Sequence, residues 1–189
     1  QTIDVQTYVF DNDDTGRVIA QALLKAADRG VRVRVLVDDI TRKSASTNLL
    51  EALDAHENIE VRWFNPFSTH NPGAVSKAAQ MLMDFRRLNR RMHNKSWIVD
   101  NQVAIVGGRN IADDYFDAGD NNYRDLDLLA VGPGVRAASQ SFDRYWNDDA
   151  TSPAAKWEDA KTSPSDLAAM RADIGKRVRQ FADSDYAQV

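Results

Sequence analysis

Apolar and polar positions in this chain follow two periods, and the switching between them outlines the fold. Short runs rich in Val, Ile and Phe occur near residues 3–10, 31–37, 59–64, 96–100, 103–107 and 125–131, and each reads as a strand. Between them the apolar residues recur at helical spacing. Helices are predicted near 16–29 (closed by Gly30), 47–55, 77–91 and 134–147. The stripe Ala78, Met81, Leu82, Phe85, Leu88 belongs to the third of these. Strand–helix alternation of this kind predicts an α/β layered domain, a mixed β-sheet flanked by helices. Residues 65–76, with Pro66, Pro72 and Gly73, read as a loop suited to act as a lid. From about residue 149 to 165 the composition turns to Ala, Ser, Thr, Pro and charge, which reads as a linker. Beyond it, within 166–189, Leu167, Met170, Ile174, Val178 and Phe181 form one stripe. That stripe predicts a helical tail that packs back on the 1–148 domain or leads to a second half.

Composition narrows the function classes. With 189 residues, 43% of them hydrophobic, the chain can bury one substantial core. There is no cysteine, which excludes disulfides. No apolar run approaches the length of a membrane span, and no leader pattern is visible. The chain opens at Gln1 directly in a strand, which predicts a piece of a longer protein. A net charge of −4 argues against a surface that coats nucleic acid, so a nucleic-acid partner is not expected. Local charge differs: Arg86, Arg87, Arg90 and Arg91 cluster at the end of the third helix. Two readings stand side by side. One is a basic, Met- and Phe-bearing helix for anionic lipid headgroups; the other is an ordinary amphipathic helix with solvated arginines.

The candidate chemistry lies in 91–110. His93 and Lys95 are two residues apart at the start of a strand, so their side chains project from one face. A neutral imidazole attacks phosphorus, and an adjacent ammonium neutralises phosphoryl oxygens. Asp100 has the opposite parity and sits in a turn, where it reads as structural support, as a partner for a basic side chain. Gly107 and Gly108 let the backbone approach a ligand closely, and Asn110 can donate its amide to a non-bridging oxygen. With Arg90 and Arg91 just upstream, this makes a phosphate-binding constellation. A metal site is not expected. His56 and His70 lie far off, and no helical H-E-x-x-H spacing exists.

A histidine nucleophile also wants a carboxylate on its other ring nitrogen. Asp125 and Asp127 share one face of an otherwise apolar strand, and a buried carboxylate needs a partner. That partner is either the catalytic imidazole or a basic residue such as Arg124.

The order H-x-K-x4-D-x6-G-G-x-N, from His93 through Lys95, Asp100, Gly107 and Gly108 to Asn110, resembles the signature of the phospholipase D superfamily. Residues 58–67, 87–96, 106–111 and 141–147 resemble the amino-terminal half of bacterial cardiolipin synthases of the C type. The resemblance covers about residues 1–150, with departures at Gly108, Ala112 and Asp114. It implies a phospholipase D-like fold with one of two motifs needed for a site. It implies a phosphatidyltransferase working through a phosphohistidine at His93, with Asp125 as the orienting carboxylate and Asp127 as the fallback. No cofactor is implied. The partners implied are an anionic phospholipid, and a second motif-bearing half in the same polypeptide or a homodimer. The place implied is the cytoplasmic face of a bacterial inner membrane, held peripherally. Three alternatives remain at this level: a phospholipase D hydrolase, a dimeric phosphodiesterase or nuclease of the superfamily, and a non-catalytic half-domain.

Overall fold

The computed structural model describes residues 1–41, 44–67, 74–83, 89–156 and 164–183. Its centre is a seven-stranded mixed sheet in the order β6-β5-β4-β1-β2-β3-β7. The strands are β1 Thr2–Thr7, β2 Arg32–Asp38, β3 Ile59–Phe64, β4 Lys95–Val99, β5 Val103–Gly107, β6 Asp127–Val131 and β7 Thr151–Pro153. β1, β2 and β3 run parallel; β4, β5, β6 and β7 join antiparallel. The helices are α1 Asp14–Asp28, α2 Ser44–Asp54, α3 Ala74–Met83, α4 Val135–Trp146 and α5 Pro164–Ala182.

The sheet divides the core in two. On one face Val5, Val33, Val35 and Trp63 pack with Leu23 of α1, Leu50 of α2 and Ile174 of α5. On the other, Leu36, Phe64, Met92, Ile98 and Ala104 meet Phe142 and Trp146 of α4. Parallel strands buried on both faces require near-continuous apolar runs, as in Val35-Leu36-Val37 of β2. One buried charge there is paired: Asp4 of β1, 2% exposed, accepts two hydrogen bonds from Arg34 of β2, at 2.7 and 2.8 Å. Arg34 also reaches Asp143 of α4 at 2.9 Å, tying that helix to the sheet.

The expected elements are present with shifted ends, and three expectations need correction. The first strand stops at Thr7 and not at residue 10; Phe10 makes only a single bridge to Ile111. The third helix runs from Ala74 to Met83, and Asn89 to Arg91 are not helical. Residues 84–88 of that expected helix, and 68–73 of the expected lid, lie outside the described residues. The expected linker is partly sheet. β7 pairs with β3 as an edge strand, and Ala154 is fully buried in the core. A three-residue edge strand needs little apolar content, because only one side of it bonds to the sheet. The last helix packs back: Leu167, Met170, Ile174 and Val178 join the first core cluster, and Arg171 holds Asp28 of α1 through two bonds at 2.7 and 2.8 Å.

Candidate active site

β4 and β5 form a hairpin, and the turn that closes it fixes the register of the site. Asp100 (φ 52°) and Asn101 (φ 54°) are both left-handed, and Gln102 N–H closes the turn on the Val99 carbonyl at 3.0 Å. Asp and Asn tolerate this conformation, which a hairpin with the sheet's natural twist requires. Lys95 is thereby set opposite Gly107, and Gly107 opposite Asp127.

His93 lies just before β4, held from both sides. Upstream, Met92 is fully buried and its N–H donates to Asp38 Oδ2 at 2.9 Å. Asp38, wholly buried at the end of β2, also accepts from Ile40 N–H at 2.8 Å and from Arg91 at 3.1 Å. Burial pushes the Asp38 carboxyl above its usual range, against those donors. Downstream, Lys95 is 6% exposed, and its Nζ donates to the His93 carbonyl at 2.8 Å. The same Nζ lies 2.9 Å from His93 Nδ1 and 3.2 Å from Nε2. The Tyr8 ring sits 4.8 Å from the imidazole, tilted by 48°, and 5.6 Å from the Lys95 ammonium. Imidazole and ammonium thus share one polar spot, the imidazole exposed and the ammonium buried. Burial pushes the Lys95 ammonium below the ordinary lysine range, and the charge of nearby Asp125 opposes that shift.

Asn110 is buried beside them. Its Oδ1 accepts from Val9 N–H at 3.1 Å, so the amide nitrogen is the end available to a ligand. The segment carrying it is laced to the start of α1. Asp13 caps Gly16 N–H at 2.9 Å and accepts from Asp113 N–H at 2.7 Å; Asp113 in turn accepts from Thr15 N–H at 2.8 Å. A cleft of about 250 Å³ opens here, lined by Lys95, Asn110, Arg109 and Asp127 and by the apolar Trp97, Ile105, Ile111 and Phe116.

His93, Lys95, Gly107, Asn110, Asp125 and Asp127 are therefore brought together. Several expected roles differ. Asp125 forms no hydrogen bond with His93; its Oδ1 accepts the N–H of Leu126 at 2.8 Å, and it acts on the site through the charge of Lys95. Asp127 pairs with Arg109 at 3.2 Å, not with Arg124. Asp100 stands at the far end of the hairpin from His93 and Lys95, where it accepts Thr2 N–H at 2.6 Å, and among the described residues it pairs with no basic side chain. Arg91, expected among the phosphate-binding residues, donates to Asp38 and to the Asn65 carbonyl, each at 3.1 Å. Arg90 is exposed and its carbonyl accepts from Asn65 at 2.7 Å. The room beside the glycines is taken by carboxylates. A Cβ on Gly107 would meet Asp127, and one on Gly108 would meet the Asp125 carboxylate, so these glycines admit aspartates to the site. Tyr8 and Arg109 also border the site, and neither carries a signal in the sequence. Tyr8 sits at the end of β1, where sequence gives no sign of its neighbours; Arg109 occupies the variable position of the motif.

Over residues 1–146 the sequence matches the family described as "Cardiolipin synthase, PLD-like domain". The chain belongs to this family. It is 48% identical over 153 residues to cardiolipin synthase C of Escherichia coli K12, a match covering 80% of this chain and 31% of that protein. It is 30% identical over 154 residues to a cardiolipin synthase of Staphylococcus aureus Mu50, covering 79% of this chain and 28% of the relative. This cardiolipin synthase-type domain thus spans about a third of the length of the curated relatives it matches. Among solved structures, the fold resembles Nuc from Salmonella typhimurium, a phospholipase D family member, with a TM-score of 0.56 at 21% identity over 81% of each chain. It resembles a phosphatidylserine synthase of Haemophilus influenzae at the same TM-score, with 15% identity over 97% of this chain and 39% of that one.

Proposed function

We propose that this domain supplies one half of a phosphatidyltransferase site, as in the cardiolipin synthases it is similar to. The observation that carries the reading is the Lys95 ammonium 2.9 Å from the His93 ring, beside an Asn110 amide oriented by a backbone donor. His93 attacks the phosphorus of a phospholipid, a P–N bond forms, and the bond from phosphorus to the headgroup oxygen breaks. The leaving alcohol takes its proton from the histidine of a second motif-bearing half. That histidine then removes the proton from the hydroxyl of a second phospholipid. The hydroxyl attacks phosphorus and the P–N bond breaks, giving a cardiolipin-type product and regenerating His93. Lys95 and Asn110 hold the non-bridging oxygens, where charge collects in both transition states. Water in place of the second lipid makes the same steps a hydrolysis. Peripheral contact with the cytoplasmic face of a bacterial membrane fits α3, whose Val75, Leu82 and Met83 are 84, 86 and 89% exposed. No helix among the described residues is long and apolar enough to cross a membrane.

The test is incubation of the assembled enzyme, both motif-bearing halves present, with phosphatidylglycerol vesicles, with products resolved by mass spectrometry and single-stranded DNA as the competing substrate. The reading expects cardiolipin and glycerol, abolished by His93→Asn. Cleavage of DNA with lipid untouched would overturn it in favour of a nuclease.

A further inference from the structure

A second cleft opens beside the one that holds Lys95 and Asn110. Its volume is about 510 Å³, and Arg109 and Phe116 line both, so the two clefts share a wall. Tyr115 and Tyr123 form one side of it, their ring centroids 5.1 Å apart and their planes tilted by 37°. Tyr123 N–H donates to the Asp114 carbonyl at 2.7 Å, which fixes that side against the short turn Asp113–Tyr115. Arg124, Asp117 and Asp125 complete the lining.

The two arginines are unequally neutralised. Arg109 pairs with Asp127 at 3.2 Å, and its guanidinium carbon lies 5.6 Å from the Phe116 ring centroid. A guanidinium is a planar fork of several donors, so one pairing leaves others for an oxyanion. Arg124 is exposed and forms no ion pair among the described residues. The carboxylates select as well. Asp125 engages Leu126 N–H through Oδ1, which leaves Oδ2 for a ligand, and Asp117 adds a second negative charge. A bare anion is poorly matched to two carboxylates. A phosphate ester that also carries hydroxyl donors matches both kinds of group.

The acceptor in the proposed transfer has this chemistry, because its glycerol headgroup carries both the attacking hydroxyl and a phosphate. Two phosphates joined through one glycerol lie roughly 7 Å apart at ordinary bond lengths. Lys95, Gly107 and Asp127 stand side by side on β4, β5 and β6, so Lys95 is two strand spacings, roughly 10 Å, from the partner of Arg109. Lys95 and Arg109 both line the first cleft, which places two cations at the separation a glycerol can span.

We propose that the second cleft is the acceptor subsite: Arg109 and Arg124 hold the phosphate of the incoming phospholipid, and Asp125 accepts a hydrogen bond from the middle hydroxyl of its glycerol. The terminal hydroxyl is then directed at the phosphorus on His93. It loses its proton to the histidine of the second half as the new P–O bond forms and the P–N bond breaks. This rests on the phosphatidyl-transfer reading, and it assigns the residues that set a lipid ahead of water as acceptor.

The test is isothermal titration of the full chain with three probes: glycerol 3-phosphate, glycerol 1,3-bisphosphate and thymidine 3′,5′-bisphosphate. Glycerol bisphosphate is expected to bind wild type about tenfold tighter than the monophosphate, because its second phosphate meets the second spot at high effective concentration. Arg124→Gln, at an exposed and unpaired position that folding does not need, is expected to remove that advantage; Arg124→Lys should keep part of it. Arg136→Gln, at an exposed arginine of α4, is expected to change nothing. Equal affinity for one and two phosphates, no binding of either, or an advantage that survives Arg124→Gln would overturn the proposal. So would an advantage confined to the thymidine probe, which would make the cleft a nucleic-acid groove. In the assembled enzyme, Arg124→Gln should raise the acceptor KM about tenfold and leave hydrolysis of the donor unchanged. Equal losses in both would mean a structural role. A bisphosphate held across both spots by a protein that transfers no phosphatidyl group would sink the functional reading and leave the subsite standing.

Discussion

At the scale of single residues, the site turns on how a buried ammonium keeps its proton. In the proposed mechanism Lys95 serves transition-state oxygens only when protonated, and burial works against that. The alkaline limb of kcat/KM in the assembled enzyme should therefore fall below that of an ordinary lysine. Lys95→Arg should move the limb upward. Asp125→Asn should move it further down, since the Asp125 charge is what favours the protonated form. A pH–rate profile of the three proteins checks both signs; identical limbs would show that Lys95 is not the titrating group. Lys95→Ala should lower kcat by about 10²–10³, the usual effect of removing one such donor. Gly108→Ala should behave like Asp125→Asn, because the added methyl occupies the place of that carboxylate. Much of this was legible in the sequence. The period-two spacing of His93 and Lys95 put both on one face, and the motif named Asn110. What stayed hidden depends on contacts between distant segments. The Tyr8 platform comes from β1, and the pairing of Arg91 with Asp38 spans 53 positions. An arginine beside a phosphate motif looks the same in sequence whether it faces substrate or a buried aspartate.

At the scale of elements, the proposed nucleophile His93 is positioned by the end of β2. Asp38 holds the backbone of Met92 and the side chain of Arg91 in the segment that delivers His93. Its neighbour Asp39 accepts Phe67 N–H at 2.7 Å, fastening a second segment at the same point. Asp38→Ala would leave a partly buried arginine and a buried N–H without this acceptor. It should cost about 3–5 kcal/mol in stability, measured by chemical denaturation. An effect within ~0.5 kcal/mol would mean that the segment is held elsewhere. The strands and helices were readable because each carries its own period. Their ends were less so: capped by Asp13, α1 begins two residues ahead of its expected start at 16, and β7 forms from a Ser/Thr/Pro segment that reads as linker. Such an edge strand is specified by its partner β3 and by the buried Ala154 after it, not by its own composition.

At the scale of the whole molecule, the carboxy-terminal helix is docked by an apolar stripe and one charged clasp. Arg171 holds the Asp28 carboxyl down to about 2, with His56 contributing through a contact of 3.1 Å to Oδ1. A carboxylate depressed in the folded state contributes stability above its unfolded value, and the contribution fades as pH falls toward the folded one. The difference in unfolding midpoint between wild type and Arg171→Ala should thus be full above a pH of about 4 and close as pH approaches 2. It should be small throughout, because both groups are substantially exposed. A difference that grows on acidification would contradict the assignment. The direction of the stripe on α5 was readable from Leu167, Met170, Ile174 and Val178, but not which surface it would meet.

The most direct test of the central claim is to catch the covalent intermediate. The assembled enzyme would be mixed with phosphatidylglycerol, quenched within a turnover by denaturation, and digested for peptide mass spectrometry. The account predicts a phosphatidyl adduct on the peptide carrying His93 that vanishes in His93→Asn and is consumed when acceptor lipid is added. Steady turnover with no adduct on His93, or an adduct on another residue of this chain, would contradict it.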